Sequence, residues 1–287
     1  MNQVQSEAPV DLASVSALLR ESRGACQASA SRDTWHAALE RELRLLKDER
    51  AYVTVTRNGA NVLGIVSWSP LPWDSEQLGI SAARIDVLAS SGNQSEARER
   101  KSALVRAAVD ECRAHGIRYL TARIPAEDLS SINALSGEGF DLMDGILTLS
   151  IELDGTAPRP AQNGFEVRLF QSRDLDQLLS IAGSGYACDR FHVDPALTPG
   201  VADRLFAAWV ARSCSGQEAD AVIVAAAGSR VLAYVTCKLT SETPDAVEPA
   251  GRIVLVATAK EARGRGVASA VLQGALEEFD AHQGRFS

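Results

Sequence analysis

The stretch RIVLVATAKEARGRGVASAVLQGALEEF, residues 252–279, decides the fold. RIVLVAT (252–258) is a short apolar, β-branched run and reads as a buried strand. A polar turn follows. Arg263-Gly264-Arg265-Gly266-Val267-Ala268 then opens a helix expected to turn Ala268, Leu272, Leu276 and Phe279 inward. A helix N-terminus carries unpaired backbone N–H groups and about half a positive charge. Glycines let an anion approach that backbone, and Arg263 and Arg265 add fixed positive charge. The arrangement is a seat for a diphosphate. A bare R-G-x-G also occurs at tight strand-to-helix turns with no ligand. It is not a Walker loop, since no G-K-[ST] follows. It is not G-x-G-x-x-G either, because Ser269 holds the third glycine's place.

Upstream, the second half reads as a strand at 165–170, a helix starting at Ser172 or Asp174, and a loop, GYACDRFHVDPALTPG. A helix at 201–213 and a hairpin of 221–227 with 230–240 about Gly228-Ser229 complete it. The first half has the same order. Asp11 caps a helix with Leu12, Val15, Leu18 and Leu19 on one face. A second helix follows Asp33, with Trp35, Leu39, Leu43 and Leu46 on one side. A hairpin about Asn58-Gly59, a strand at 83–89, a helix at 95–115, a strand at 118–124, a short helix at 127–137 and strand structure over 142–153 come next. Two halves in one order suggest an internal duplication. Pro158, Pro160 and Gly164 mark a linker, so the expected domains are 1–157 and 165–287, joined by 158–164.

The chain has 287 residues, 46% hydrophobic and 23% charged, with a net charge of −8, and each half is acidic. Globular proportions exclude a disordered or fibrous chain. The acidity argues against nucleic acid or an anionic membrane as partner. No apolar run is long enough to span a bilayer, and no secretory leader is evident. Five scattered cysteines without a C-x-x-C pair fit reduced thiols in a cytoplasm, and no metal site is expected.

With the flanking V-x-V strand and amphipathic helix, Arg263, Gly266 and Ala268 resemble the [QR]-x-x-G-x-[GA] motif of the GNAT acyltransferase superfamily. The resemblance implies a duplicated GNAT-like α/β fold of mixed, mostly antiparallel sheets flanked by helices. It implies acetyl-CoA as cosubstrate, without a metal. Diphosphate contacts would come from Arg263, Gly264, Arg265, Gly266, Val267 and Ala268, and pantetheine contacts from Leu255, Val256 and Ala257. PLPWDSEQLGI (70–80), YLTARIPAEDLSSINALSGEGFDLMD (119–144) and RFHVDPAL (190–197) are similar to TDP-amino-sugar N-acetyltransferases of the dTDP-fucosamine type. Gln77 and Leu78 depart from that group's aromatic pair. The implied reaction moves acetyl to a primary amine, a nucleotide-linked amino sugar being the first candidate. A non-catalytic CoA-binding protein and a peptide-amine acetyltransferase are the alternatives. A homodimer is a candidate assembly. The first half has no R-x-x-G-x-A between 83–89 and 95–115, so it reads as a degenerate structural partner. The family continues past this helix with a fifth strand, an asparagine and a tyrosine acid. The chain ends at Ser287, so the resemblance implies a C-terminal half that stops short of them.

Arg190, His192 and Asp194 sit in the loop that covers the acceptor in such proteins. They are candidates for substrate binding, or for ordering the loop. No general base is identified; the one candidate, His192, has an ordinary pKa of about 6.5. Trp73, Asp74 and Ser75 are candidate cleft residues, with Trp73 equally readable as interdomain core. Tyr186 reads as a cleft residue or a half-buried aromatic. The Arg98, Arg100, Lys101, Arg106 cluster, interleaved with Glu96 and Glu99, reads as a solvated helix face.

Overall fold

The computed structural model describes residues 3–6, 11–24, 32–151, 164–240 and 250–283. The chain forms two compact units, Met1–Leu142 and Met143–Ser287. All but Gly164 of the expected 158–164 linker lies outside the described residues.

The N-terminal unit is a five-stranded sheet in the order β1 to β5. Its strands are β1 (Gln3–Ser6), β2 (Tyr52–Asn58), β3 (Asn61–Pro70), β4 (Ala82–Ser90) and β5 (Tyr119–Ala122). All neighbours are antiparallel except β4 and β5, which are parallel and joined by helix α4 (Gln94–Ala114). β1 is not announced by the sequence, because QVQS is four residues long with one apolar position, Val4, too short to show an alternation. Helices α1 (Leu12–Gly24) and α2 (Arg32–Leu45) cover one face through Val15, Leu18, Leu19 and Leu39, packed on Val53, Val55, Ile65 and Val87. The opposite face packs Val66, Trp68, Ile85 and Leu88 against Leu104, Val105 and Ala108 of α4. Short helices α3 (Pro72–Leu78) and α5 (Leu129–Gly137) complete the unit.

The C-terminal unit repeats this plan. Its described sheet is antiparallel throughout: β6 (Glu166–Leu169), β7 (Ala221–Ala227), β8 (Arg230–Thr240) and β9 (Ala250–Thr258). Helices α6 (Leu175–Gly185), α7 (Arg190–Val193) and α8 (Val201–Cys214) precede β7, and α9 (Val267–Gln283) follows β9. The repeat extends to a backbone detail. β3 and β4 shift register so that Asp86 is an extra residue between Ile85 and Val87; β8 and β9 shift so that Val254 is extra between Ile253 and Leu255. A bulge in the same strand of both units bends each strand just before its turn into a helix.

Three expectations change. Residues 142–151 alternate apolar and polar, yet belong to neither sheet; Leu142 is 91% and Leu149 83% exposed. Alternation makes a strand only where an edge is there to pair with it. Residues 152 and 153 lie outside the described set. On α9 the buried face is Val267, Ala270, Val271, Ala275 and Phe279, whereas Ala268, Leu272 and Leu276 are half-buried at its flank. The face is rotated because Gly274 rests on the sheet: a Cβ there would meet Val167 at 2.8 Å, and one at Gly251 would meet the Phe279 ring. Finally, Lys101 leaves the solvated face. It is 2% exposed, and its ammonium donates to Asp128 (2.9 Å), Ser130 and Ser131 (2.8 Å each).

Burial works against the Asp128 charge, but the Lys101 ammonium and the Ser131 hydroxyl and N–H outweigh it and hold the carboxyl at about 2. This stabilisation is complete above the ordinary carboxylate pKa of about 4 and disappears as pH falls through about 2. Lys101→Met takes the ammonium partner from a buried carboxylate and is expected to cost about 3–5 kcal/mol by denaturant unfolding at pH 7. The loss should shrink at pH 3; a loss that does not depend on pH would disprove the ion-pair account.

Candidate functional site

The turn from β9 into α9 is built from backbone. Ala259 N–H donates to Leu232 O at 2.8 Å, fixing the strand exit, and a 3-10 turn spans Lys260–Ala262. Arg263 is extended, and Gly264 and Gly266 adopt φ of 72° and 76°, which only glycine takes without strain. The first bond into α9 is Ala270 N–H to Gly266 O, 3.1 Å. The N–H groups of Val267, Ala268 and Ser269 precede it and have no acceptor within the helix. Gly266 has no side chain with which to cap them. No atom lies within 4 Å of where a Cβ would stand at Gly264 or Gly266. A hollow of about 360 Å³ opens there, lined by Thr258, Arg263, Gly264, Gly266, Val267 and Ser269 among others. Converging amides, a helix dipole and open space suit an anion.

The matching turn in the N-terminal unit is closed by its own side chains. Asn93 Oδ1 accepts from Ser95 N–H and Glu96 N–H, both at 3.1 Å, and Glu96 Oε2 accepts from Asn93 N–H. This capping box satisfies the donors an anion would use and sets a carboxylate among them.

Arg263 is placed differently from a simple phosphate ligand. Its guanidinium donates to Thr258 O and Gly185 O, both at 3.3 Å, tying the end of α6 to the end of β9. Gly185 lies so close that its Cβ would stand 3.0 Å from that of Ala257. Leu255 and Ala257 are buried, and Val256 is 36% exposed. Leu255 N–H donates to the Thr236 hydroxyl at 3.0 Å beside the bulge. β9 is an edge of the described sheet.

Above this strand stands an aromatic wall around the buried ring of Phe206 on α8. Tyr186 stacks on it at 4.1 Å, His192 at 5.9 Å, and Phe191 meets it edge-on at 6.2 Å. Asp189 caps α7 by accepting from Phe191 N–H, and His192 lies between two carboxylates, Nδ1 at 2.5 Å from Asp189 and Nε2 at 3.1 Å from Asp203. Burial of the ring opposes its charge, but hydrogen bonds to Asp203 and Asp189 outweigh this and raise its pKa. Arg190 donates its N–H to Asp144 and lays its guanidinium over the Phe191 ring, 4.4 Å from the centroid. Asp194 is buried and accepts from Ala196 N–H at 2.9 Å, which orders the turn through Pro195. Trp73 and Asp74 are half-buried on α3 of the other unit, where Ser75 closes the helix onto Leu71 and Ala82. Among the described residues no group of three or more His, Cys, Asp or Glu could hold a metal, and no helix is long and apolar enough to cross a membrane.

His192 gains its partners only on folding, so its contribution is complete below its unfolded pKa of about 6.5 and is lost as pH rises through the raised folded value. The melting temperature should therefore fall on the alkaline side of neutrality. His192→Gln should flatten that dependence between pH 6 and 9, and an unchanged slope would remove the ion-pair account of the loop.

A family model described as Acetyltransferase (GNAT) family matches residues 188–286. A search of curated protein sequences found no match. Among solved structures, a tandem GNAT protein from the clavulanic acid biosynthesis pathway, solved without acetyl-CoA, is similar over 99% of this chain and 87% of its own, with 16% identity and a TM-score of 0.55. The ribosomal-protein-alanine N-acetyltransferase of Brucella melitensis biovar Abortus 2308 covers 53% of this chain and 100% of its own, at 16% identity and TM-score 0.40. The aminoglycoside acetyltransferase meta-AAC0020 from an uncultured soil metagenomic sample, in complex with sisomicin, covers 53% and 97%, at 15% identity and 0.39. The tandem likeness, together with the repeated element order, gives the chain a duplicated GNAT fold. Residues 188–286, which match the model of the GNAT acetyltransferase family, lie in the second of two units that share the GNAT fold.

Proposed function

We propose that this protein is a cytoplasmic N-acetyltransferase acting on a primary amine, with a nucleotide-linked amino sugar as acceptor. The observation that carries the reading is the uncapped start of α9, set against the self-capped start of α4. Acetyl-CoA supplies the acetyl group: a C–N bond forms as the C–S bond breaks, the amine gives up one proton, and the thiolate takes one up. The N–H groups from Gly264 to Ala268 and the charge of Arg265 would hold the diphosphate, and Leu255, Val256 and Ala257 would flank the pantetheine arm. Arg263 serves this seat by bracing it against α6. Arg190, His192 and Asp194 shape the acceptor loop.

His192 is not the base here. Both its ring nitrogens are taken up by carboxylates, which raise its pKa and leave neither nitrogen open to the amine. The amine must arrive neutral or lose its proton to water. The rate should then climb with pH as the acceptor amine itself titrates, with no inflection that His192→Gln removes.

Calorimetry with acetyl-CoA and a thiol-release assay over TDP-4-amino sugars, aminoglycosides and alanine-terminated peptides test the reading. Gly266→Val forces a branched side chain into φ of 76° and into the open hollow. It is expected to weaken acetyl-CoA binding at least about tenfold, the equivalent of one lost charge-assisted hydrogen bond. Binding without turnover on any amine would select a non-catalytic CoA-binding protein. Turnover of peptides alone would select a peptide-amine enzyme. No binding would end the proposal.

A further inference from the structure

The polar side chains packed round Phe206 are engaged, with one exception. His192 is locked by Asp189 and Asp203, and Asp194 orders its turn. Tyr186 is different. Its backbone leaves α6 directly after Gly185, the residue in contact with Ala257. Its hydroxyl is 3.1 Å from that of Tyr234, which is fully buried and stands opposite Ala257 in the β8–β9 register. The two hydroxyls therefore lie on the α6 face of the sheet at the level of Ala257, one of the residues that flank the pantetheine arm in the Proposed function.

The direction of this bond follows from burial. A buried O–H without an acceptor costs about 1–3 kcal/mol, more than an unused lone pair. Tyr234 has Tyr186 as its hydroxyl's partner, so Tyr234 donates and the Tyr186 oxygen accepts. The half-buried Tyr186 hydroxyl then keeps one lone pair and its own hydrogen for something else. Burial, only partly offset by the Tyr234 hydrogen bond, pushes its pKa up to about 12, so it stays neutral and is no base for the amine's proton.

We propose that the Tyr186 oxygen accepts an N–H of the acceptor amine and so turns the nitrogen lone pair toward the acetyl carbonyl, with Tyr234 as the positioning residue that orients the Tyr186 hydroxyl. This rests on the acetyl-transfer reading. The role is one of orientation: the hydrogen bond holds the amine in attack geometry, and the proton it loses still leaves to water.

The test uses the full chain with acetyl-CoA and whichever of the TDP-4-amino sugar or the alanine-terminated peptide is turned over. Tyr186→Phe keeps the ring on Phe206 and removes only the oxygen. It should lower kcat about 10–100-fold, the worth of one hydrogen bond to a reacting group, while the acetyl-CoA Kd stays within about twofold. Tyr234→Phe should lower kcat by less. The double variant, which leaves no orphaned hydroxyl, should be no slower than Tyr186→Phe alone, because the two act as one unit. The pH profile should keep its shape throughout. A Tyr186→Phe enzyme with kcat within about twofold of wild type would overturn the proposal, as would a loss shared equally between kcat and acetyl-CoA affinity. A wild type that binds no acetyl-CoA would overturn the acetyl-transfer reading beneath it, which is a different result from either.

Discussion

The constraint on which the rest depends is a set of backbone N–H groups that find no acceptor among the described residues. Val267, Ala268 and Ser269 begin α9 with no capping side chain, after two glycines at positive φ. A helix end of this kind is tolerated only where water or a ligand reaches it. Everything near the turn serves to hold those amides in place and open. The bulge at Val254 bends β9, the Ala259–Leu232 bond fixes its exit, and Arg263 ties the turn to α6.

That same tie joins the turn to the wall above it. Because Gly185 lacks a Cβ, α6 ends in contact with Ala257, and the next residue, Tyr186, is delivered to the hydroxyl of Tyr234. From Tyr186 the aromatic contacts run through Phe206 to Phe191 and His192. The two carboxylates on His192 then fix a loop that would otherwise be free to rearrange. The aromatic wall is thus positioned by close contact and ion pairing, and the glycine turn by backbone bonds and the Arg263 side chain.

The strand, the glycine turn and the helix after it were legible in the sequence, since Gly264, Gly266 and the amphipathic run after them are local signals. The duplication was legible as element order, and the shared bulge then supplied a geometric likeness that no residue pattern carried. What stayed hidden depends on contacts between distant residues. Lys101 looked solvated among its charged neighbours, because Asp128, Ser130 and Ser131 lie almost thirty positions away. The buried face of α9 was misjudged because Gly274 contributes no hydrophobicity yet makes the closest approach to β6 and β7. Residues 142–151 have strand chemistry but no paired edge among the described residues. His192 suggested a base from its identity, whereas its chemistry is set by Asp203, eleven residues on. The Tyr186–Tyr234 pair had no signal at all beyond two aromatic residues.

The two units show what an open helix end costs. Both run from a bulged strand through a tight turn into a long helix. In the first, Asn93 and Glu96 close the helix start, a device that stabilises a helix by about 0.5–2 kcal/mol. In the second that stabilisation is forgone: the matching positions are Gly266, which has no side chain, and Ser269 in place of a glutamate. A helix start cannot be both self-capped and open to a ligand, since the same amides would serve twice. A chain with two such turns can cap one for stability and leave the other bare for binding. In the proposed function, this asymmetry gives structure to the first unit and chemistry to the second.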